Sequence, residues 1–232
     1  MLNKKILCIG GAGQLGKVVI KSLLPYHVTN VDFAEHLDAK SNIVLNAKLP
    51  SSSNNQNVIE HLKKESPKYD SIVVTAGGWA GGSIKDDDYC QKTQNMIDIC
   101  LTPSLLAAHL ATQYLNEKGL VIFTGAAAVF KEPQPDMIGY AIAKTGVHSL
   151  ALNLTQYFIN KELDRKVVTI LPETIDTQSN REGMPKADFT KWAKPEQIGG
   201  LLRSWVDGHN VPNNGSFAVL KVKNGAIVPE FV

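Results

Sequence analysis

The sequence predicts an α/β fold: one doubly wound parallel sheet with helices on both faces and a β-hairpin at its C-terminal end. Three observations predict it. Short runs rich in Val, Ile and Leu alternate with longer segments of helical period, which is the pattern of βαβ units. The first of these runs breaks into glycines directly before a helix. Near the other end, Asn224-Gly225 separates two strand-like segments, a strong signal for a two-residue hairpin turn. A chain of 232 residues buries one substantial core, no internal repeat or linker divides it, and a single domain spanning 1–232 is expected.

The elements follow in order. KKILCIG (Lys4 to Gly10) is the first strand. The helix after it presents Leu15, Val18, Val19, Ser22 and Leu23 on one largely apolar face and is ended by Pro25. Strands are expected at His27 to Phe33 and Asn42 to Asn46. Ser51 to Asn57 is polar and low in complexity, which predicts a surface loop before a helix from Val58 to Glu65. SIVVTAGG, from Ser71, is a buried strand, followed by a long helix from Gln94 to Asn116 and the strand Gly119 to Gly125. A second long helix runs from Met137 to Asn160, and a strand follows at Lys166 to Pro172. Residues 173–194 have no clean period and are expected to form a mobile lid. Pro195 starts the last helix, which ends near Asp207, and SFAVLKV and AIVPEFV form the hairpin.

Composition narrows the function classes. A net charge of +2 gives no reason to expect nucleic acid or a membrane surface as partner. Hydrophobic content of 44% with 20% charged residues is that of a soluble globular protein. Cys8, Cys90 and Cys100 are odd in number and lack metal-ligand spacing, so reduced thiols and no metal site are expected. No secretory pattern is read at Met1 to Lys5, and no apolar run is long enough to span a bilayer, so a cytoplasmic protein is expected.

IGGAGQLG places Gly10, Gly13, Gln14, Leu15 and Gly16 between a strand and a helix. Glycines there permit a tight turn and let the backbone approach a pyrophosphate, while the helix N-terminus offers free N–H groups and a positive dipole end. Strand-to-helix turns use glycine for other reasons too, so context has to decide. Asp32 lies at the end of the second strand, about 20 residues on, where a carboxylate accepts hydrogen bonds from adenosine ribose hydroxyls. A carboxylate repels a 2′-phosphate and no basic residue immediately follows it, so NADH is expected as cofactor, with NADPH binding more weakly. The plain alternative for Asp32 is a solvated charge at a strand end. Ala76, Gly77 and Gly78 close the fourth strand and are further candidates for the cofactor site.

Tyr140 and Lys144 are four apart on a predicted helix, hence on one face. A nearby ammonium stabilises a phenolate and is expected to bring the Tyr140 pKa down toward neutrality, making the phenol a usable proton donor or acceptor beside a hydride-transfer centre. With the glycine turn, the strand-end acid and the Ala76-Gly77 strand end, the Tyr-x-x-x-Lys pattern resembles the short-chain dehydrogenase/reductase family over essentially the whole chain. The resemblance implies a Rossmann-type fold with Tyr140 and Lys144 catalytic. It also implies that Lys144 binds the nicotinamide ribose and that Pro172, Thr174, Ile175 and Thr177 lie against the carboxamide end.

Two positions depart from the family pattern. The serine usual about a dozen residues before the tyrosine is replaced by Ala126-Ala127-Ala128, and a helix asparagine that commonly completes the proton relay is replaced by Cys100. An enzyme reducing ordinary ketones needs that extra donor for the developing alkoxide, so a generic alcohol dehydrogenase is disfavoured. AGGWAGG (Ala76 to Gly82), MIGYAIAKTGVHSL (Met137 to Leu150) and LPETIDTQSNREGMPKADFTKW (Leu171 to Trp192) resemble the pterin-reducing members of the family, which also lack the serine.

That resemblance implies NADH-dependent reduction of a quinonoid dihydropterin, with Trp79 as platform for the flat ring and Asn180, Arg181 and Met184 closing over it. The competing reading of Trp79 is a loop aromatic plugging the core. His109 and His148 are read as structural histidines, Cys90 and Cys100 as packing residues. The two long helices resemble the family's four-helix dimer interface, and Ala107, Ala108, Ala111, Ala141, Ala143 and Ala151 suit close helix approach. A homodimer is implied, with packing against the sheet as the alternative use of those alanines. Two other functions stay open: an NADH-dependent reductase of a quinone or imine, and a catalytically silent dinucleotide sensor.

Overall fold

The computed structural model describes residues 3–232; Met1 and Leu2, part of the segment read for a secretory pattern, lie outside the described residues. Its elements are β1 (Lys5–Ile9), α1 (Gln14–Ser22), β2 (His27–Asp32), β3 (Ser41–Val44), α2 (Ser51–Glu65), β4 (Tyr69–Val74), α3 (Tyr89–Met96), α4 (Thr102–Tyr114), β5 (Leu115–Thr124), α5 (Ala127–Lys131), α6 (Ile138–Asn160), β6 (Lys166–Pro172), α7 (Gln178–Gly183), α8 (Pro195–Val206), β7 (Ser216–Lys223) and β8 (Ala226–Phe231). A π turn, Ile97–Leu101, joins α3 to α4.

The eight strands lie in the order β3-β2-β1-β4-β5-β6-β7-β8, all parallel except the β7–β8 pair. Successive side chains of a strand point to opposite faces, and here both faces are covered. Leu7 and Ile9 of β1 join Ile72, Val121 and Phe123 in a core under α4 and α6. Ile6 and Cys8 join Val73, Ile122 and Ile170 under α1 and α8. The strand order reverses between β1 and β4, so their C-terminal ends part and leave a crevice, the usual ligand position in such sheets. The hairpin closes on Asn224 and Gly225 at φ of 51° and 76°, the left-handed pair that a two-residue turn of primed type requires.

Two expectations are corrected. The polar run Ser51 to Asn57 forms the first two turns of α2. Asn54 is buried there, and its amide donates to the carbonyls of Asn46 and Leu49 and accepts from the Asn46 N–H, so a side chain that usually breaks helices fastens this one to the preceding loop. The helix expected from Gln94 begins at Tyr89 and is interrupted by the π turn. Residues 173–194, which show no clean period in the sequence, contain α7, a short helical turn at Phe189–Lys191, the Ile175–Ala193 bridge and the buried Trp192 and Ala193.

Candidate active site

Gly10 follows β1 with a φ of +93°, and a Cβ there would stand 2.2 Å from the Ala76 backbone nitrogen. Gly16, in the first turn of α1, is equally constrained, since its Cβ would lie 2.1 Å from the Gly10 carbonyl. Gly13 is different. It is exposed, it is the N-cap of α1 without any side-chain cap, and an added Cβ would meet nothing nearer than the Gly10 carbonyl at 3.3 Å. Gly10 and Gly16 serve the packing of the turn, while Gly13 leaves the helix N-terminus open to an approaching anion. Leu15 is buried, so only its backbone faces the turn, and the exposed Gln14 accepts through Oε1 a 3.5 Å bond from the Ser179 N–H of α7.

Asp32 ends β2, where its Oδ2 accepts from the Ala12 N–H at 2.8 Å and its Oδ1 from the Phe33 N–H at 2.6 Å. The carboxylate is thereby locked against the glycine turn. Across the crevice, Gly77 and Gly78 are exposed beyond β4, and Ala76 is tied to β1 through the Ile9 carbonyl. The cradle has open backbone where a pyrophosphate would pass and a fixed carboxylate at the ribose position; these residues fit a dinucleotide.

Tyr140 and Lys144 sit one turn apart in α6, which lies over β5 and β6. Lys144 is buried and its ammonium donates to the Thr124 carbonyl at 2.8 Å; a Cβ on Gly77 would be 3.3 Å from Nζ. Burial lowers the Lys144 pKa from the ordinary lysine value. The expected lowering at Tyr140 is not found. Burial, with a smaller contribution from Cys100, pushes its phenol well above the ordinary tyrosine range.

The segment that carries a hydroxyl in the family is Ala126 to Ala128, at the start of α5, with Ala126 and Ala127 buried. His148, one further turn along α6, accepts the Ala126 N–H on Nε2 at 3.2 Å and stacks edge-on against Phe130 and Phe217. Burial, with help from the Lys144 charge, pushes its pKa down to about 4. Cys100 is fully buried in the π turn and its thiol donates to the Gly78 carbonyl at 3.3 Å. His109 and Cys90, by contrast, are exposed and pack against no core.

Trp79 is not a core plug. Its ring is 62% exposed, and Nε1 donates to the Met137 thioether at 3.2 Å, beside the start of α6. Pro172 is the buried end of β6; the Thr174 carbonyl accepts from the Ala193 N–H, and Ile175 bridges to Ala193. Thr177 caps α7 by accepting the Asn180 N–H. Asn180 spends its side-chain amide on the Ile175 carbonyl at 2.8 Å, Met184 is exposed, and Arg181 pairs with both oxygens of Asp176 while lying over the Phe189 ring. The lid is thus held largely by its own side chains. A cavity of about 620 Å³ beside it is lined by Asp176, Thr177, Arg181 and Phe189, and includes neither Tyr140 nor Lys144.

Sequence reasoning passed over the Thr124 carbonyl, which no residue type advertises, and Asn30. The latter is a fully buried amide in β2, and its one signal was an asparagine within a strand two residues before Asp32.

This fold and site belong to a known class. Residues 4–187 match the family model described as short chain dehydrogenase, and the chain belongs to that family of NAD(P)-dependent oxidoreductases. Among individual proteins, a dihydropteridine reductase of Dictyostelium discoideum is 30% identical over 226 residues, covering 96% of each chain. Solved structures with the same fold include a short chain dehydrogenase family protein from Francisella tularensis subsp. tularensis SCHU S4 (TM-score 0.79, 19% identity, covering 93% of this chain and 96% of that one). Another is a short chain dehydrogenase from Salmonella enterica subsp. enterica serovar Typhi str. CT18 (TM-score 0.77, 17% identity, covering 94% and 95%).

Proposed function

We propose that the protein reduces quinonoid dihydropterin to tetrahydropterin with NADH, using Tyr140 as proton donor. The observation that carries this reading is a catalytic helix face reduced to Tyr140 and Lys144, with alanine at 126–128 and Cys100 where further polar groups would stand. A quinonoid dihydropterin is strongly electrophilic and needs only a hydride and a proton, so a site without a third donor suits it. The likeness to the Dictyostelium discoideum enzyme supports the same substrate class.

NADH, when bound, supplies the hydride. Gly13 and the N-terminus of α1 would receive its pyrophosphate, and Asp32 its adenosine ribose. The Asp32 carboxylate, held by two backbone N–H groups, would repel a 2′-phosphate and so favours NADH over NADPH. Lys144, fixed on the Thr124 carbonyl beside Gly77, would meet the nicotinamide ribose, with Gly78, Pro172, Thr174, Ile175 and Thr177 around the ring end. Tyr140 would deliver its phenolic proton to the ring that receives the hydride. The exposed Trp79 ring would offer one wall for a flat heterocycle, and the exposed Met184 would close over it from the lid.

The molecule is also proposed to be a homodimer through α4 and α6. Of the expected alanines, Ala107, Ala108, Ala111, Ala143 and Ala151 are buried within the subunit, and Ala141 is partly exposed. Leu105, Ile142, Leu152 and Ile159 are instead exposed on the outer faces of these helices. Among the described residues, no helix is long and apolar enough to cross a membrane.

Steady-state rates with quinonoid dihydropterin, simple quinones and a cyclic imine test the substrate. The dihydropterin should have the highest kcat/KM by at least about tenfold, a barrier difference of roughly 1.4 kcal/mol. Equal or better turnover of a quinone would replace the pterin reading with that of a general quinone reductase. No turnover of any of them, with NADH bound, would point to the silent sensor.

A further inference from the structure

We infer that Asn30, acting with Asn42, is a positioning residue that holds the glycine turn and the Asp32 loop at the spacing needed by the adenosine half of the dinucleotide. The inference rests on the dinucleotide reading of the site. Asn30 and Asp32 are two apart on β2, so both project from the same face of the sheet. Asp32 receives the Ala12 N–H, and Asn30 lies beneath the neighbouring Gly11, where an added Cβ would be 2.4 Å from its Oδ1.

The orientation of the Asn30 amide is determined by its partners. Nδ2 donates to the Ala34 carbonyl at 3.1 Å and to Asn42 Oδ1 at 2.9 Å, so a turned amide would set oxygen against two oxygens. Asn42 Oδ1 also accepts the His36 N–H, and its own amide donates to the His36 carbonyl. His36 in turn is bonded through Nε2 to the Lys17 carbonyl of α1, while its Nδ1 accepts the Asp38 N–H. One continuous set of bonds therefore links α1, the loop after Asp32 and β3.

The Asn30 Oδ1 atom itself is buried, has no hydrogen-bond partner and faces the Gly11 backbone. A buried amide oxygen left unpaired disfavours folding, and an aliphatic side chain would suit this strand interior better. Its presence is accounted for if the amide sets the geometry of the two loops that flank it.

The test uses Asn30→Val and Asn42→Ala in the full-length chain, with NADH and ADP-ribose binding followed by calorimetry and NADH kinetics alongside. Asn42 is only partly buried, so its variant decides the matter if Asn30→Val does not fold. Both ligands should bind roughly tenfold more weakly to each variant through lost preorganisation, with the KM for NADH raised in step, kcat at saturation within about twofold, and the Asn30→Val melting temperature not lowered. A folded variant that binds ADP-ribose as tightly as the wild type overturns the inference, as does a loss confined to kcat. Failure of the wild type to bind either ligand overturns the dinucleotide reading instead.

Discussion

Tyr140 and His148 lie on the same face of α6, and burial acts on each in a direction that matters. The Tyr140 phenol is driven upward by burial, and its proposed role as proton donor predicts that removing the hydroxyl removes the chemistry while leaving the cofactor site in place. Tyr140→Phe is expected to lower kcat for the dihydropterin by about 10²- to 10⁴-fold with NADH affinity unchanged. An unaltered rate would take the phenol out of the mechanism. His148 is held neutral, with its pKa near 4 in the fold against an ordinary value of 6.5. Between those values the unfolded chain binds the extra proton, so stability is greatest above pH 6.5 and falls as the pH drops toward 4, by roughly 3 kcal/mol in all. Thermal melts from pH 7.5 to 4.5 should show that slope, and His148→Gln, which can still accept the Ala126 N–H, should flatten it.

At the scale of elements, the turn between β1 and α1 separates packing from binding. Gly16→Ala forces a Cβ against fixed backbone at 2.1 Å and should destabilise the protein by about 2 kcal/mol or more. Gly13→Ala meets only a 3.3 Å contact and should retain its melting temperature while binding NADH several-fold more weakly, as titration of NADH fluorescence would show. A melting temperature lowered equally by both substitutions would contradict this division. The β1–α1 turn was legible in the sequence because glycine spacing and strand ends are local signals. What was not legible depends on contacts made at a distance. The Ser51 to Asn57 run becomes helix through the bonds of Asn54 to Asn46 and Leu49. The sign of the Tyr140 shift was misread because spacing places Lys144 on the same helix face but cannot show how deeply the phenol is buried. The π turn at Cys100 likewise leaves no mark in the apolar period.

For the whole molecule, α4 and α6 combine an inner face sunk in the core with an outer face carrying Leu105, Ile142, Leu152 and Ile159. Charge on that outer face should separate subunits without disturbing the interior. Leu152→Arg is expected to sediment as a monomer where the wild type sediments as a dimer, with the fold intact by circular dichroism. A wild type that sediments as a monomer would remove the dimer proposal. The same layout matches the alternative use of the alanines, packing within the subunit, for all but the partly exposed Ala141. The inner faces of α4 and α6 mix these small residues with Leu106, Leu110, Val147 and Phe158 in the core.

The hairpin at the end of the sheet has a consequence for colloidal behaviour. Phe217 and Val232 exchange both of their backbone hydrogen bonds, and the alternation of an antiparallel pair then makes the Leu220–Pro229 pair a non-bonded one. The nitrogen of Pro229 therefore points away from β7 to the open side of β8, where it has no hydrogen to offer an incoming strand. Proline is tolerated here at no loss to the ladder, and it blunts the edge on which this sheet would otherwise recruit further chains. Pro229→Val should fold and bind NADH normally yet aggregate sooner on concentration, detected as rising light scattering; unchanged scattering would show that the edge is protected by other means.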